Sequence, residues 1–243
     1  MKRTLAIGDI HGGYKALLQV LEKAKVTPED TLIFLGDYVD GWSESAQTVE
    51  KLLGLTSTNT CIFIRGNHDL WCSLWLNKGA TNPIWLAHGG KETIESYVKT
   101  GLLTNHRHKA FFNQLQDYYI DSENRLFLHA GFTSMHGVLK EEYASNYYFD
   151  RTLWEAALLA ENIASDILKK NPPQRFVHYN EIYIGHTPTT NYQETTPMKA
   201  HNVYNVDTGA AFKGRLTIMD IDTKEFWQSD TLTSLYPDEK GRN

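Results

Sequence analysis

Five short apolar runs in this chain break off in the same way, each ending in a glycine or histidine beside a residue able to ligate a metal or carry a proton. They are "TLAIGDIHG" (4–12), "TLIFLGDYVDG" (31–41), "CIFIRGNHD" (61–69), "RLFLHAG" (125–131) and "EIYIGHT" (181–187). Runs of four to six apolar residues bounded by turn residues are the pattern of strands covered on both faces. Helical spacing separates the first three. "YKALLQVLEKA" (14–24) sets Leu17, Leu18 and Leu21 on one face, and "SAQTVEKLLGL" (45–55) does the same with Val49, Leu52 and Leu53. A βαβαβ order predicts a parallel sheet at the amino end and places the chain in the α/β class.

The carboxyl ends of strands in such a sheet form the crevice where ligands bind. Asp9 and His11, Asp37 and Asp40, Asn67, His68 and Asp69, His129, and His186 should therefore converge, although they come from separate runs. One Gly-Asp turn or one histidine has an ordinary structural explanation. Five strand ends of the same design do not.

Elsewhere a helical region is expected from about Arg151 to Lys170, halted by "NPP" at 171–173. Then "HNVYNVDTG", "KGRLTIMDID" and "EFWQ" read as successive strands with no room for helices, which predicts antiparallel pairing in the last fifth. The tail, 229–243, is polar and expected to fray. With 243 residues and no dividing linker, one domain spanning 1–243 is expected.

No apolar stretch approaches a membrane span, and the amino end turns polar too early for a secretory signal, so a cytoplasmic location without membrane contact is expected. Cys61 and Cys72 follow no zinc spacing and read as reduced, mostly buried thiols. A formal charge of −5 offers no basic excess to displace counterions, so nucleic acid is not expected as a partner.

Asp, Asn and His donors without thiolate form a borderline-hard O/N set that suits manganese, iron, zinc or nickel. They outnumber what one ion requires, and a carboxylate can bridge two, so a two-metal centre of the kind that hydrolyses phosphate esters is the economical reading.

In their order and spacing "GDIHG", "GDYVDG", "GNHD", "HAG" and "GHTP", with "YFDRTLW" and "VYNVDTGAAFKGRLTI" further on, resemble the calcineurin-like metallophosphoesterases. The likeness is to the phosphoprotein phosphatase branch, bacterial and bacteriophage-lambda-type members included. It implies a β-sandwich of mixed sheets flanked by helices, with two divalent ions, manganese first, at strand carboxyl ends. Asp9, His11 and Asp37 would hold the first ion; Asp37, Asn67, His129 and His186 would hold the second. Phosphomonoesters would be hydrolysed by in-line attack of the hydroxide shared between the metals. His68 would act as general acid with Asp40 as its partner favouring the imidazolium, and Arg151 would hold phosphate. Asp69 is expected either to support the centre or to cap the helix starting there. Asp207 and Gly209 are expected to shape the loop beside the site, and Arg65 to be structural.

One departure stands out. The branch usually carries arginine after the last Asp of "GDYVD", whereas this chain has Gly41 and Trp42. Lys91, Arg107 and Lys109 are candidates to supply the missing cation, and Trp42 either packs in its loop or faces a base. The Trp- and Tyr-rich segment 70–120 resembles a helical insertion beside the site and is expected to influence substrate choice. Histidines 88, 106, 108, 136, 178 and 201 are expected at the surface or behind the ligands. The substrate expected is a phosphorylated one: a phosphoprotein, as for a serine/threonine phosphatase, or a small ester or nucleotide. The alternatives are a dinucleoside polyphosphate (Ap4A-type) hydrolase and, more remotely, a non-catalytic scaffold.

Overall fold

In a computed structural model of the chain, which describes residues 2–163, 170 and 172–242, strands β1 (Thr4–Ile7), β2 (Thr31–Phe34) and β3 (Thr60–Phe63) lie side by side and parallel. Helices α1 (Tyr14–Lys23) and α2 (Ser45–Leu55) make the crossovers. Side chains alternate along each strand. Leu5, Ile7, Leu32 and Phe34 pack with Leu17, Val20, Val49 and Leu52 of the helices, while Ala6, Ile33 and Ile62 face the other way. Both faces are covered, which is why these strands read as unbroken apolar runs. The expected stripe of α1 needs one correction: Leu18 is exposed, and Ala16 and Val20 complete the buried face. Leu53 is only partly buried.

From α3 (Asn67–Lys78) the chain passes through the short α4 (Pro83–Trp85), a wide turn over 86–90, α5 (Lys91–Thr100) and α6 (His106–Gln114). The 70–120 segment is thus largely helical. A second sheet follows, ordered β4 (Tyr118–Ile120), β5 (Arg125–Leu128), β6 (Glu181–Ile184), β8 (Val203–Asn205), β7 (Met198–Ala200), with β5, β6 and β8 parallel. Its Phe127 and Tyr183 stack at 4.9 Å and join Ala6, Ile33, Ile62 and Met219 between the sheets. The opposite face, with Leu126, Leu128, Ile182 and Ile184, packs against α8 (Thr152–Glu161) through Leu153, Trp154 and Ala157. Asn146–Phe149 forms the short α7 before it.

The last fifth differs from expectation in part. β9 (Thr217–Asp220) and β10 (Phe226–Gln228) do pair antiparallel, and β9 adds to β1, giving the first sheet the order β10-β9-β1-β2-β3. The "HNVYN" strand, however, is β8 of the other sheet and runs parallel to β6. The period-2 pattern identifies a strand but not its neighbour. The helix expected from 151 to 170 is described as α8, ending at Glu161; positions 164–169 and 171 lie outside the described residues.

Nor does the described part of the tail fray. Leu232 and Ser229 are fully buried, and Tyr236 stacks on Trp42 at 5.2 Å while its hydroxyl donates to Glu44 Oε2 at 2.5 Å. Two apolar side chains spaced for one helical turn outweigh the polar composition around them. Cys72 is buried and Cys61 partly so, both free. Among the described residues no helix is long and apolar enough to cross a membrane.

Candidate active site

Backbone bonds draw the first three strand-end loops together. The N–H groups of Ile10 and His11 donate to the Asp37 carbonyl at 3.0 and 2.9 Å. Those of Asp37 and Tyr38 donate to the Asp69 carboxylate at 2.7 and 2.9 Å, and Gly66 N–H does so at 2.8 Å. Asp69 therefore caps α3 and also ties the second loop to the third; burial and the nearby Asp37 push its pKa up to about 7. His11, Asp37, Asp40 and His186 all have φ between +53° and +75°, a region costly for residues with a Cβ. Strain at four residues on three adjoining loops is what a preorganised site stores. Gly185 permits a further close approach, since a Cβ there would lie 2.1 Å from Asp9 Oδ1.

Asp37 sits at the centre. Its Oδ2 is 3.4 Å from His11 Nε2 and 3.4 Å from His129 Nε2. On the His129 side, Asn67 Oδ1 and His186 Nδ1 each lie 3.2 Å from Nε2; on the other, Asp9 Oδ2 is 3.8 Å from His11 Nε2. Among the described residues two groups bring ligand atoms close enough to hold a cation, His11–Asp37–His68 and Asp37–His129–His186, with Asp37 in both.

The donor set fits such ions. His129 Nδ1 donates to the Leu35 carbonyl at 2.8 Å and His11 Nδ1 to the Asp40 carbonyl at 3.0 Å, which turns both Nε2 lone pairs toward the Asp37 carboxylate. Asp9 and Asp37 are buried, and among the described residues neither has a lysine or arginine in ion-pair contact. Buried carboxylates facing imidazole lone pairs call for positive charge. The pKa shifts point the same way. Burial disfavours the His129 imidazolium, yet Asp37 and Asp9 overcome it and lift the group to about 10. Burial likewise works against ionised Asp37, but the neighbouring imidazoles, His129 foremost, hold it well below the usual carboxylate range. A divalent ion supplies that charge and leaves the lone pairs to ligate.

Beside this cluster, His68 Nδ1 meets Asp40 Oδ2 at 2.7 Å. Asp40 is fixed in turn by Trp85 Nε1 at 2.7 Å and Thr93 Oγ1 at 2.6 Å, both delivered by the 70–120 segment. Burial pulls His68 down to about 3 and pushes Asp40 up to about 8. The expected pairing of His68 with Asp40 is thus present in the geometry, while burial works against separating charge between the two groups.

A cavity of about 140 Å³ opens over the cluster, lined by His11, Asp37, Asn67, His68, Arg151 and His186 among others. Arg151, exposed, stands at its edge, and Asp207 lines it as well. Lys91, Arg107 and Lys109 are not among the lining residues; Arg242 is. Trp42 is fully buried, donates to the Ala210 carbonyl at 2.7 Å, and presents no face to a ligand. Arg65 donates to the Leu115 carbonyl, a structural contact. His108 corrects expectation: it is fully buried between Tyr97 and Glu50, in the core rather than at the surface. Reasoning from the sequence missed Arg242, Trp85 and Thr93, none of which lies in a strand-end motif.

A two-sheet sandwich with Asp, Asn and His gathered at its strand ends defines a metal-dependent phosphoesterase. The family model for calcineurin-like phosphoesterases matches residues 2–208, and the chain belongs to that family, a hydrolase of phosphate esters. It is 24% identical over 233 residues to the asymmetrical bis(5'-nucleosyl)-tetraphosphatase PrpE of Anoxybacillus flavithermus, covering 88% of each chain. Among solved structures it resembles a candidate diadenosine tetraphosphatase (17% identity, 93% and 92% of the two chains, TM-score 0.62). It also resembles a protein serine/threonine phosphatase from Saccharomyces cerevisiae (16% identity, 94% and 80%, TM-score 0.59).

Proposed function

We propose that this hydrolase acts on phosphomonoesters in the manner of a serine/threonine phosphatase. It would use two divalent ions, manganese first, held by Asp9, His11 and Asp37 and by Asp37, Asn67, His129 and His186. The observation that carries this is the Asp37 carboxylate, one oxygen 3.4 Å from an imidazole nitrogen on either side. When bound, the ions supply an activated water and neutralise charge on the phosphoryl oxygens. The chain supplies the rest. Arg151 presents a planar guanidinium able to take two phosphoryl oxygens at once. His68, its ring held at Nδ1 by Asp40 across 2.7 Å, gives the Nε2 proton to the departing oxygen and is left as neutral imidazole. The 140 Å³ cavity takes the phosphoryl group, and the leaving group stays outside.

A second reading, hydrolysis of dinucleoside polyphosphates, has its own support. A cavity of about 590 Å³ adjoins the first through Asn191 and Phe212 and is lined by Lys213 and Arg215, room and charge for an extended anion. Initial rates of manganese-loaded protein on p-nitrophenyl phosphate, a phosphoserine peptide and diadenosine tetraphosphate decide between them. Peptide preference supports the first reading and dinucleotide preference the second. Inactivity on all three with metal bound overturns both and leaves a scaffold.

A further inference from the structure

Arg242 lies far from every strand-end motif in sequence, yet it lines the metal cavity with Arg151. Its stem occupies the space above Gly41, where a Cβ would meet Arg242 Cγ at 3.1 Å and Cδ at 3.6 Å. The complementarity is reciprocal. Gly241, at φ +59°, lies against Trp42 so closely that a Cβ there would be 2.6 Å from the indole and 2.9 Å from the Ala211 carbonyl. The pair Gly41–Trp42 on one loop is thus shaped to receive Gly241–Arg242 on the other.

The tail is fastened on both sides of this contact. Glu239 accepts from Ser43 N–H at 3.0 Å and from its hydroxyl at 2.6 Å, and Arg242 N–H donates to the Ala211 carbonyl at 2.9 Å. The guanidinium lies over the Phe212 ring, 5.3 Å from its centroid, and one terminal nitrogen is 3.3 Å from His88 Nδ1. Its Nε is buried and has no partner among the described residues, nor does the group form an ion pair with any described carboxylate. A guanidinium that lines an anion-sized cavity and has no described carboxylate in ion-pair contact calls for an anion.

We propose that Arg242 is a phosphate-binding residue, carried to the cavity by the tail and gripping phosphoryl oxygens together with Arg151. The inference rests on the phosphoester reading of the same cavity.

The test is calorimetric binding of inorganic phosphate to manganese-loaded wild type, Arg242→Ala and Arg242→Gln, with KM and kcat on p-nitrophenyl phosphate. The glutamine variant keeps most of the stem packed on Gly41 and Phe212, so it guards against misfolding of the alanine variant. Loss of the charged fork should weaken phosphate binding and raise KM about 10- to 100-fold, with kcat falling less and metal content and melting temperature unchanged. Wild-type phosphate affinity in both variants overturns the role of Arg242 and leaves the phosphatase reading intact. A wild type that binds no phosphate overturns both.

Discussion

His68 has one free ring nitrogen with which to meet a leaving group. Nδ1 is committed to Asp40, and the ring is wedged edge-on between His11 and Trp71 at 4.9 and 5.0 Å. A proton delivered from Nε2 matters most where the departing oxygen is basic. His68→Ala should therefore lower turnover of an alkyl phosphate by about 10²- to 10⁴-fold, and that of p-nitrophenyl phosphate by much less, with metal content unchanged. Wild-type rates on the alkyl ester would remove His68 from the chemistry. At this scale the residues that line the candidate site were largely legible in the sequence. Asp9, His11, Asp37, Asn67, His129 and His186 each lie within four residues of a short strand's end, so the local pattern that marks the strand also marks the proposed ligand. Arg242 gave no such signal, because its place depends on a tertiary fit between two glycine-containing turns.

The helices after β3 hold the proton-donating pair from behind. Trp85 of α4 and Thr93 of α5 both donate to Asp40, and Thr93 Oγ1 also accepts from the Asp40 N–H at 3.0 Å. Thr93→Val retains the shape and removes both bonds. The expected result is a loss of about 10-fold in kcat on an alkyl phosphate, the weight of a hydrogen bond to a buried carboxylate, with phosphate affinity unchanged. A matching loss on p-nitrophenyl phosphate would make the effect one of general disorder instead. Element types were legible wherever period and length agreed, as in β1 to β3, α1 and α2. Partners were not. β8 was expected near β9 because the two are close in sequence, yet β8 pairs with β6 and β9 with β1, pairings set by which sheet had an open edge.

Across the whole molecule, the proposed metal ligands span both sheets: Asp9, His11, Asp37 and Asn67 follow strands of one, His129 and His186 strands of the other. Ion binding should therefore stabilise the packing of the two layers. Saturating manganese, at about 100 times its Kd, contributes about 2.7 kcal/mol, so chelation should lower the melting temperature by about 5–10 °C, reversibly on re-addition. Identical melting curves with and without metal would place the ions elsewhere. The sandwich came from the family resemblance; residue patterns alone suggested an open sheet, since alternation shows that a strand face is buried but not what buries it.

β1 lies between β2 and β9, the latter at Thr217–Asp220. The strand that leads into Asp9 and His11 therefore has one edge bare unless β9, distant in sequence, is in place. A fragment lacking β9 would keep the motifs but expose the Leu5–Ile7 edge of the sheet beneath them. A bare strand edge is a template for pairing with another chain, so loss of β9 should turn the molecule toward aggregation.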